Sequence, residues 1–157
     1  MKNMYLRTSL AAVLATAAFP IAAADCKPVN GRFEAVIVPP GSGHCPNVAG
    51  LLCTAGRVWG GINGNYQFVL SGALPAAVLG GIPTALFYTG QSTILMHDGS
   101  TVVGTDSGAL DPPPAGQLGF ASLISFTVGA TGQIRLMGQF TDTGGTEGEY
   151  EGRFCAG

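Results

Sequence analysis

Apolar and small side chains alternate with polar ones most regularly at the C-terminal end of the chain, from Ser125 to Gly157. Side chains two positions apart lie on the same face of a strand. The two alternating runs are separated by Thr143-Gly144-Gly145-Thr146, which tolerates the left-handed backbone of a tight turn. We therefore predict a β-hairpin with one buried face. That face consists of Ile134, Leu136, Gly138, Phe140, Gly148, Tyr150, Gly152 and Phe154.

Similar alternation, interrupted by turn residues, predicts strands through the earlier part of the chain. Asp98-Gly99 is typical of a two-residue hairpin turn. Residues 71–83 are apolar but rich in Gly and Pro, so we predict at most one helical turn there, around 76–79. Glycines within the longest run, 57–70, predict a bend, a bulge or a turn. The earlier predicted strands cover residues 32–38, 57–70, 84–89, 92–97, 101–105 and 118–128.

These patterns predict an all-β fold of about eight antiparallel strands. Such a chain forms either a closed barrel or a two-sheet sandwich. Glycines on the predicted apolar face favour the barrel, because strongly coiled strands need positions without side chains. These glycines are Gly60, Gly64, Gly138, Gly148 and Gly152.

Residues 1–24 have the pattern of a secretory signal peptide. Lys2 and Arg7 precede an apolar stretch, and Ala22-Ala23-Ala24 supplies small residues for cleavage. A transmembrane anchor is the alternative, but the apolar run is shorter than the roughly 20 residues a spanning helix needs, and Pro20 interrupts it. We therefore predict one β-barrel domain over 25–157, secreted or periplasmic, with no stable membrane anchor.

The charge of the predicted mature chain excludes one class of partner. Past residue 24 there are five basic and nine acidic side chains, a net charge of −4. Binding to nucleic acid requires a concentrated Lys/Arg surface, so we predict no nucleic-acid partner. Charged residues make up only 10% of the chain, which leaves few candidates for acid–base catalysis.

The four cysteines all lie in the predicted mature chain. An even number of cysteines in an exported protein indicates two disulfides, whereas the absence of C-x-x-C spacing disfavours a metal site. Four cysteines allow three connectivities. We prefer Cys45 with Cys53 as a loop clasp and Cys26 with Cys155 joining the two ends, and the close rival joins Cys53 to Cys155.

Two glycine-containing motifs resemble a known family. Gly129-Ala130-Thr131-Gly132-Gln133-Ile134 resembles the Gly-Gly-Thr-Gly-Arg-Phe signature of the allene oxide cyclase and dirigent-like barrels, and Gly148-x-Tyr150-x-Gly152 resembles their closing strand. A bacterial secreted branch of that superfamily has the same order of features. The match is best over Ser92 to Cys155. The resemblance implies a calycin-like, eight-stranded barrel with an apolar interior, but no position matches the plant cyclases' catalytic residues.

Candidate catalytic and metal-binding groups have simpler interpretations. His97-Asp98 is the one neighbouring His–carboxylate pair in the sequence, and Asp98-Gly99 is accounted for by the hairpin turn. Glu147, Glu149 and Glu151 on one strand face are typical of a solvated surface rather than a Ca²⁺ site. No G-x-S-x-G, H-E-x-x-H or P-loop pattern occurs. We predict no catalytic residues, no metal and no cofactor.

The aromatic residues of the predicted apolar faces offer a binding function. If the barrel is incompletely filled, these rings line a pocket for a small hydrophobic ligand. We therefore predict an exported protein that binds a small apolar ligand or a surface partner without catalysis. The alternatives are a cyclase or isomerase acting on a hydrophobic substrate, and a self-associating surface protein. The candidate pocket residues are Tyr66, Phe68, Phe126, Phe140, Tyr150 and Phe154.

Overall fold

A computed structural model describes residues 25–79, 82–111 and 118–156, and shows an all-β protein. The predicted signal peptide lies outside the described residues. Within the described ranges, no helix is long and apolar enough to span a membrane. The strands are β1 (Cys26–Val38), β2 (Cys53–Gly60), β3 (Gly64–Leu79), β4 (Ile82–Met96), β5 (Thr101–Leu110), β6 (Gly119–Val128), β7 (Ala130–Phe140) and β8 (Gly145–Ala156).

The eight strands form one closed antiparallel barrel. Each strand pairs with the next one in sequence, and β8 pairs with β1, where Phe33 lies opposite Gly148. Closure gives the first and last strands a hydrogen-bonded neighbour on both sides over their paired residues. The predicted barrel is confirmed, and the two-sheet sandwich is wrong.

Alternation places the apolar side chains inside the barrel, as the sequence pattern predicts. The interior glycines make room for rings from adjacent strands. A Cβ atom at Gly90 would lie 2.6 Å from Cζ of Phe68, and one at Gly108 would lie 2.7 Å from the hydroxyl oxygen of Tyr88. Large rings therefore pack over neighbouring glycines, and the glycines determine where aromatic side chains fit.

Strand boundaries differ from the predicted ones at several positions, including β1, which begins at Cys26, and β5, which continues to Leu110. The predicted helical turn around 76–79 is wrong, because β3 continues to Leu79 and pairs with β4. Register shifts on either side of Pro75 accommodate a residue that lacks an N–H donor. Residues 84–89 and 92–96 belong to one strand, β4, whose Gly90 lies under the ring of Phe68, and His97 lies in the turn that follows. The long run over 57–70 is divided between β2 and β3 by residues 61–63.

Ile62, in the turn between β2 and β3, closes one end of the barrel. Its side chain is fully buried. The hydroxyl of Tyr150 accepts a hydrogen bond from the Ile62 N–H at 2.7 Å and donates one to the Ile62 carbonyl at 3.2 Å. One tyrosine thus satisfies both backbone groups of a buried turn residue, which anchors the turn to β8. We call this end the base of the barrel.

The two disulfides lie at opposite ends of the barrel. Cys26 is bonded to Cys155, which joins the start of β1 to the end of β8 at the base. Cys45 is bonded to Cys53, which holds the loop between β1 and β2 at the other end. This is the preferred one of the three connectivities considered from the sequence.

Candidate functional site

A cavity enters the barrel from the end opposite Ile62. About 510 Å³ is free of protein atoms there, with open solvent at the mouth included, and about 50 Å³ is available to the centre of a water molecule. Leu52 precedes β2, Leu110 ends β5, and Leu70 lies within β3, where its N–H donates to the Leu52 carbonyl; all three line the cavity. The other lining residues are Phe33, Thr54, Tyr66, Phe68, Tyr88, Asp106, Phe120, Ser122, Leu136, Phe140 and Thr146.

Aromatic rings form much of the cavity wall. Phe33 lies 5.9 Å from Phe120 between ring centroids, and Phe120 lies 5.7 Å from Phe140. On the other side, Phe68 and Tyr88 meet edge to face at 5.9 Å. Tilted and edge-to-face arrangements are the ones that aromatic pairs prefer. The wall is therefore largely apolar and aromatic.

Asp106 lies among these apolar groups and is only 2% exposed. It occupies the inward face of β5, which it shares with Val102 and Gly104. Gly90 of β4 and Ile124 of β6 lie directly opposite it, and Ser92 of β4 and Ser122 of β6 are diagonal to it. The alternation of β5 thus places a carboxylate inside the barrel, where its polar partners must come from β4 and β6.

Two serines bind the Asp106 carboxylate. The Ser92 hydroxyl donates to Oδ2 at 2.8 Å, and the Ser122 hydroxyl donates to Oδ1. The Tyr66 hydroxyl lies 3.1 Å from Ser92 Oγ. Ser92 has one hydroxyl hydrogen, which it gives to Asp106, so Tyr66 is the donor in this pair. Tyr88 lies close to Ser122 and to Asp106.

The result is a chain of five side chains that we call the Asp106 network: Tyr66, Ser92, Asp106, Ser122 and Tyr88. Burial raises the pKa of Asp106, and the two serine hydrogen bonds partly oppose this rise. Burial and the nearby Asp106 charge raise the pKa values of Tyr66 and Tyr88, so both phenols stay protonated at neutral pH.

The raised pKa makes stability depend on pH in a defined direction. The folded protein holds the Asp106 proton more tightly than the unfolded chain does, so this group's contribution is most favourable below its unfolded pKa of about 4. That contribution is lost as pH rises through the folded-state pKa. We expect the wild type to lose stability relative to Asp106→Asn as pH rises above about 4 and through the folded-state pKa of Asp106.

Urea unfolding at a series of pH values measures this difference. Asp142→Asn is the matched control, because Asp142 is exposed in the turn between β7 and β8. The stability of the Asp142→Asn variant should change with pH as the stability of the wild type does. If the stabilities of the wild type and Asp106→Asn differ by the same amount at every pH, the expectation is contradicted.

The six aromatic residues expected to line a pocket separate into two groups. Tyr66, Phe68 and Phe140 line the cavity. The other three do not line it. Phe126 and Phe154 pack against each other, with ring centroids 5.4 Å apart, and Tyr150 binds Ile62 at the base. Alternation assigned all six to the interior but did not give their height along the barrel axis.

Sequence reasoning missed Asp106, Ser92 and Ser122. A signal for Asp106 was present, because Val102, Gly104 and Asp106 alternate on one strand face. The predicted strand ended at residue 105, one position short of it. The two serines gave no comparable signal, since a serine on an inward face is common and its partner depends on the register between strands.

The remaining candidates occupy the surface or a turn. Asp98 accepts hydrogen bonds from the Ser100 N–H at 2.9 Å and the Ser100 hydroxyl at 2.6 Å, which hold its pKa below the usual range. Oε1 of Glu149 lies 3.7 Å from Nε of Arg32 on the outside of the barrel, and both side chains are largely exposed. In the part of the chain that the structure covers, no three His, Cys, Asp or Glu side chains converge as metal ligands would.

No family model, curated protein or solved structure matches this chain. The resemblance to the allene oxide cyclase and dirigent-like barrels therefore stays a prediction from sequence. The fold and the site define the protein as a disulfide-linked, eight-stranded antiparallel barrel with an aromatic cavity at one end.

Proposed function

We propose that this protein is an exported binding protein whose barrel holds a small apolar ligand with one or more rings. The observation on which the proposal rests is the cavity itself, which is lined by aromatic rings and contains the buried Asp106 network. Small-molecule sites are concave and mostly apolar, with a few polar groups that orient the ligand. This cavity has both parts.

The position of Asp106 supports a binding role. A buried carboxylate costs stability, as its raised pKa reflects, and an apolar side chain would fill the same place without that cost. Groups that are unfavourable for folding are concentrated at functional sites. Fully buried side chains elsewhere in the interior include the apolar Ile62, Ile94 and Ile134.

The proposed compartment follows from the cysteines. All four are in disulfides, and such bonds persist in oxidising surroundings. Together with the predicted signal peptide, this supports a secreted or periplasmic protein. The cyclase or isomerase and the self-associating surface protein stay predictions from the sequence.

A mouth-blocking substitution tests the proposed function. We expect Leu110→Trp to weaken binding of a naphthalene-based fluorescent probe at least tenfold, because the larger ring narrows the entrance. Leu110 is partly exposed at the end of β5, so the added volume strains the core less than a change at buried Leu136 would. Fluorescence titration gives the Kd, and thermal unfolding shows that the variant is folded.

Leu123→Trp is the matched control. Leu123 is 41% exposed on the outer face of β6, so the same substitution there should leave the Kd unchanged. Native mass spectrometry of protein purified from its exported fraction adds a search for a co-purifying ligand. Equal effects of the two substitutions, or no binding of apolar ring compounds to the wild type, would contradict the proposed function.

A further inference from the structure

The Asp106 carboxylate has no cationic partner in the cavity. None of the described residues that line the cavity is Lys, Arg or His. The ion pairs, Lys27 with Asp25 and Arg32 with Glu149, lie on the outside with largely exposed side chains. Buried carboxylates in proteins are normally paired with a positive charge or a metal. The arrangement therefore lacks one component that a ligand could supply.

The directions of the hydroxyl hydrogens define which ligand groups fit. Ser92 and Ser122 give their hydrogens to Asp106, and Tyr66 gives its hydrogen to Ser92. The hydroxyl hydrogens of these three residues are thus used inside the network. When Asp106 is ionised, its carboxylate and these three hydroxyls offer a ligand only oxygen lone pairs, so they can accept hydrogen bonds but have none to donate.

The remaining polar groups do not change this conclusion. Thr54 and Thr146 also line the cavity, but they belong to β2 and β8, which are not neighbours of β5 in the barrel. Their hydroxyls are neutral and offer no charge to an anionic ligand. A carboxylate or phosphate ligand would meet the Asp106 charge without a compensating cation, and such like-charge contact is unfavourable.

The aromatic wall favours the opposite charge. Phe33, Tyr66, Phe68, Tyr88, Phe120 and Phe140 all line the cavity. A ligand cation close to aromatic faces is attracted by their negative quadrupole, and this attraction grows when water is excluded. The carboxylate and the rings therefore favour the same ligand chemistry, a positive charge attached to an apolar body.

From this geometry we propose that the ligand is a hydrophobic amine in its protonated form, with its ammonium group donating to Asp106 and its ring system against the aromatic wall. The inference rests on the proposed binding function and specifies its ligand class. Asp106 then determines which ligand charge the site prefers, and the cavity walls determine which ligand shapes fit.

Three ligands of nearly the same shape test the charge preference on the wild-type protein. 1-Naphthylmethylamine is cationic at neutral pH, 1-naphthalenemethanol is neutral, and 1-naphthoic acid is anionic. We expect calorimetric titration at about pH 7 to show the amine binding at least tenfold more tightly than the alcohol, with the acid weakest. Because no substitution is needed, this comparison does not depend on the folding of a variant.

Asp106→Asn tests the assigned residue. We expect it to reduce the affinity for the amine to about that of the alcohol, while the alcohol still binds. Amine binding to the wild type should also weaken on acidification as Asp106 is protonated. The titratable groups that face Asp106 are Tyr66 on β3 and Tyr88 on β4, which stay protonated in that range, and β6 contributes Ser122, which does not titrate.

The possible outcomes separate this inference from the proposed function. Equal binding of the amine and the alcohol, or an amine preference that survives in folded Asp106→Asn, overturns the inference and leaves a neutral-ligand binding protein. Tighter binding of the acid overturns it as well. If none of the three ligands binds the wild type and Leu110→Trp has no effect on any probe, both the inference and the proposed function fail.

Discussion

Replacing Cys26 and Cys155 together with alanine lowers the free energy of unfolding by about 5 kcal/mol. This expected loss is large because the bond connects residues 129 positions apart and so restricts nearly the whole unfolded chain. Single domains are stable by only about 5–15 kcal/mol. We therefore expect the variant to be close to its unfolding midpoint under mild conditions, as measured by urea unfolding followed by circular dichroism.

The second disulfide is the control for this loop-length argument. Cys45 and Cys53 are 8 positions apart, and replacing both with alanine should cost only about 2.6 kcal/mol by the same relation. If the two variants lose similar amounts of stability, the entropy of the unfolded chain is not the main source of each disulfide's stabilisation. Local contacts at each bond are then the main source.

Gly90→Ala should cost about 2–3 kcal/mol, an unusually large effect for the addition of one methyl group. Its Cβ would collide with the ring of Phe68 and lie 2.6 Å from the Val69 carbonyl oxygen. A ring can rotate aside only if its neighbours allow it, and the carbonyl is fixed by the sheet. Because Gly90 lies opposite Asp106, the shift should also disturb the cavity. Urea unfolding and probe binding measure the two effects.

Gly72→Ala is the matched control, since nothing lies within 4 Å of a Cβ atom at Gly72. That substitution should leave stability unchanged or raise it by up to about 1 kcal/mol, because alanine has less freedom than glycine in the unfolded chain. Phe68→Leu combined with Gly90→Ala should recover part of the lost stability. Additive losses in this double variant would contradict the assigned contact between Gly90 and Phe68.

The barrel could be predicted from the sequence because alternation is a local property of each strand. The C-terminal hairpin is the clearest example. Its inward residues Leu136 and Tyr150 are buried, while Met137 between the inward positions of β7 is 46% exposed. Residues 71–83 were harder, because Gly and Pro weaken every local preference there. The strand conformation of residues 71–79 and 82–83 comes from pairing between β3 and β4, which no short window contains.

The candidate site depends on register, and the sequence does not specify register directly. Ser92, Asp106 and Ser122 come from three strands and meet only because β4, β5 and β6 are aligned as they are. The same dependence explains why Phe126 and Phe154, though inward-facing, are outside the cavity. Alternation gives the face of a strand that a side chain occupies, whereas the level within the barrel follows from turn lengths and from strand pairing.

The disulfide at the base also fixes the orientation of the molecule in any tethered arrangement. Because Cys26 and Cys155 are bonded at the end closed by Ile62, the start of β1 and the end of β8 both lie there, away from the cavity mouth. Coupling to a sensor surface through either terminus should therefore give the same upright geometry with an accessible entrance. The side that faces away from the support is set by the covalent structure, whichever terminus serves as the attachment point.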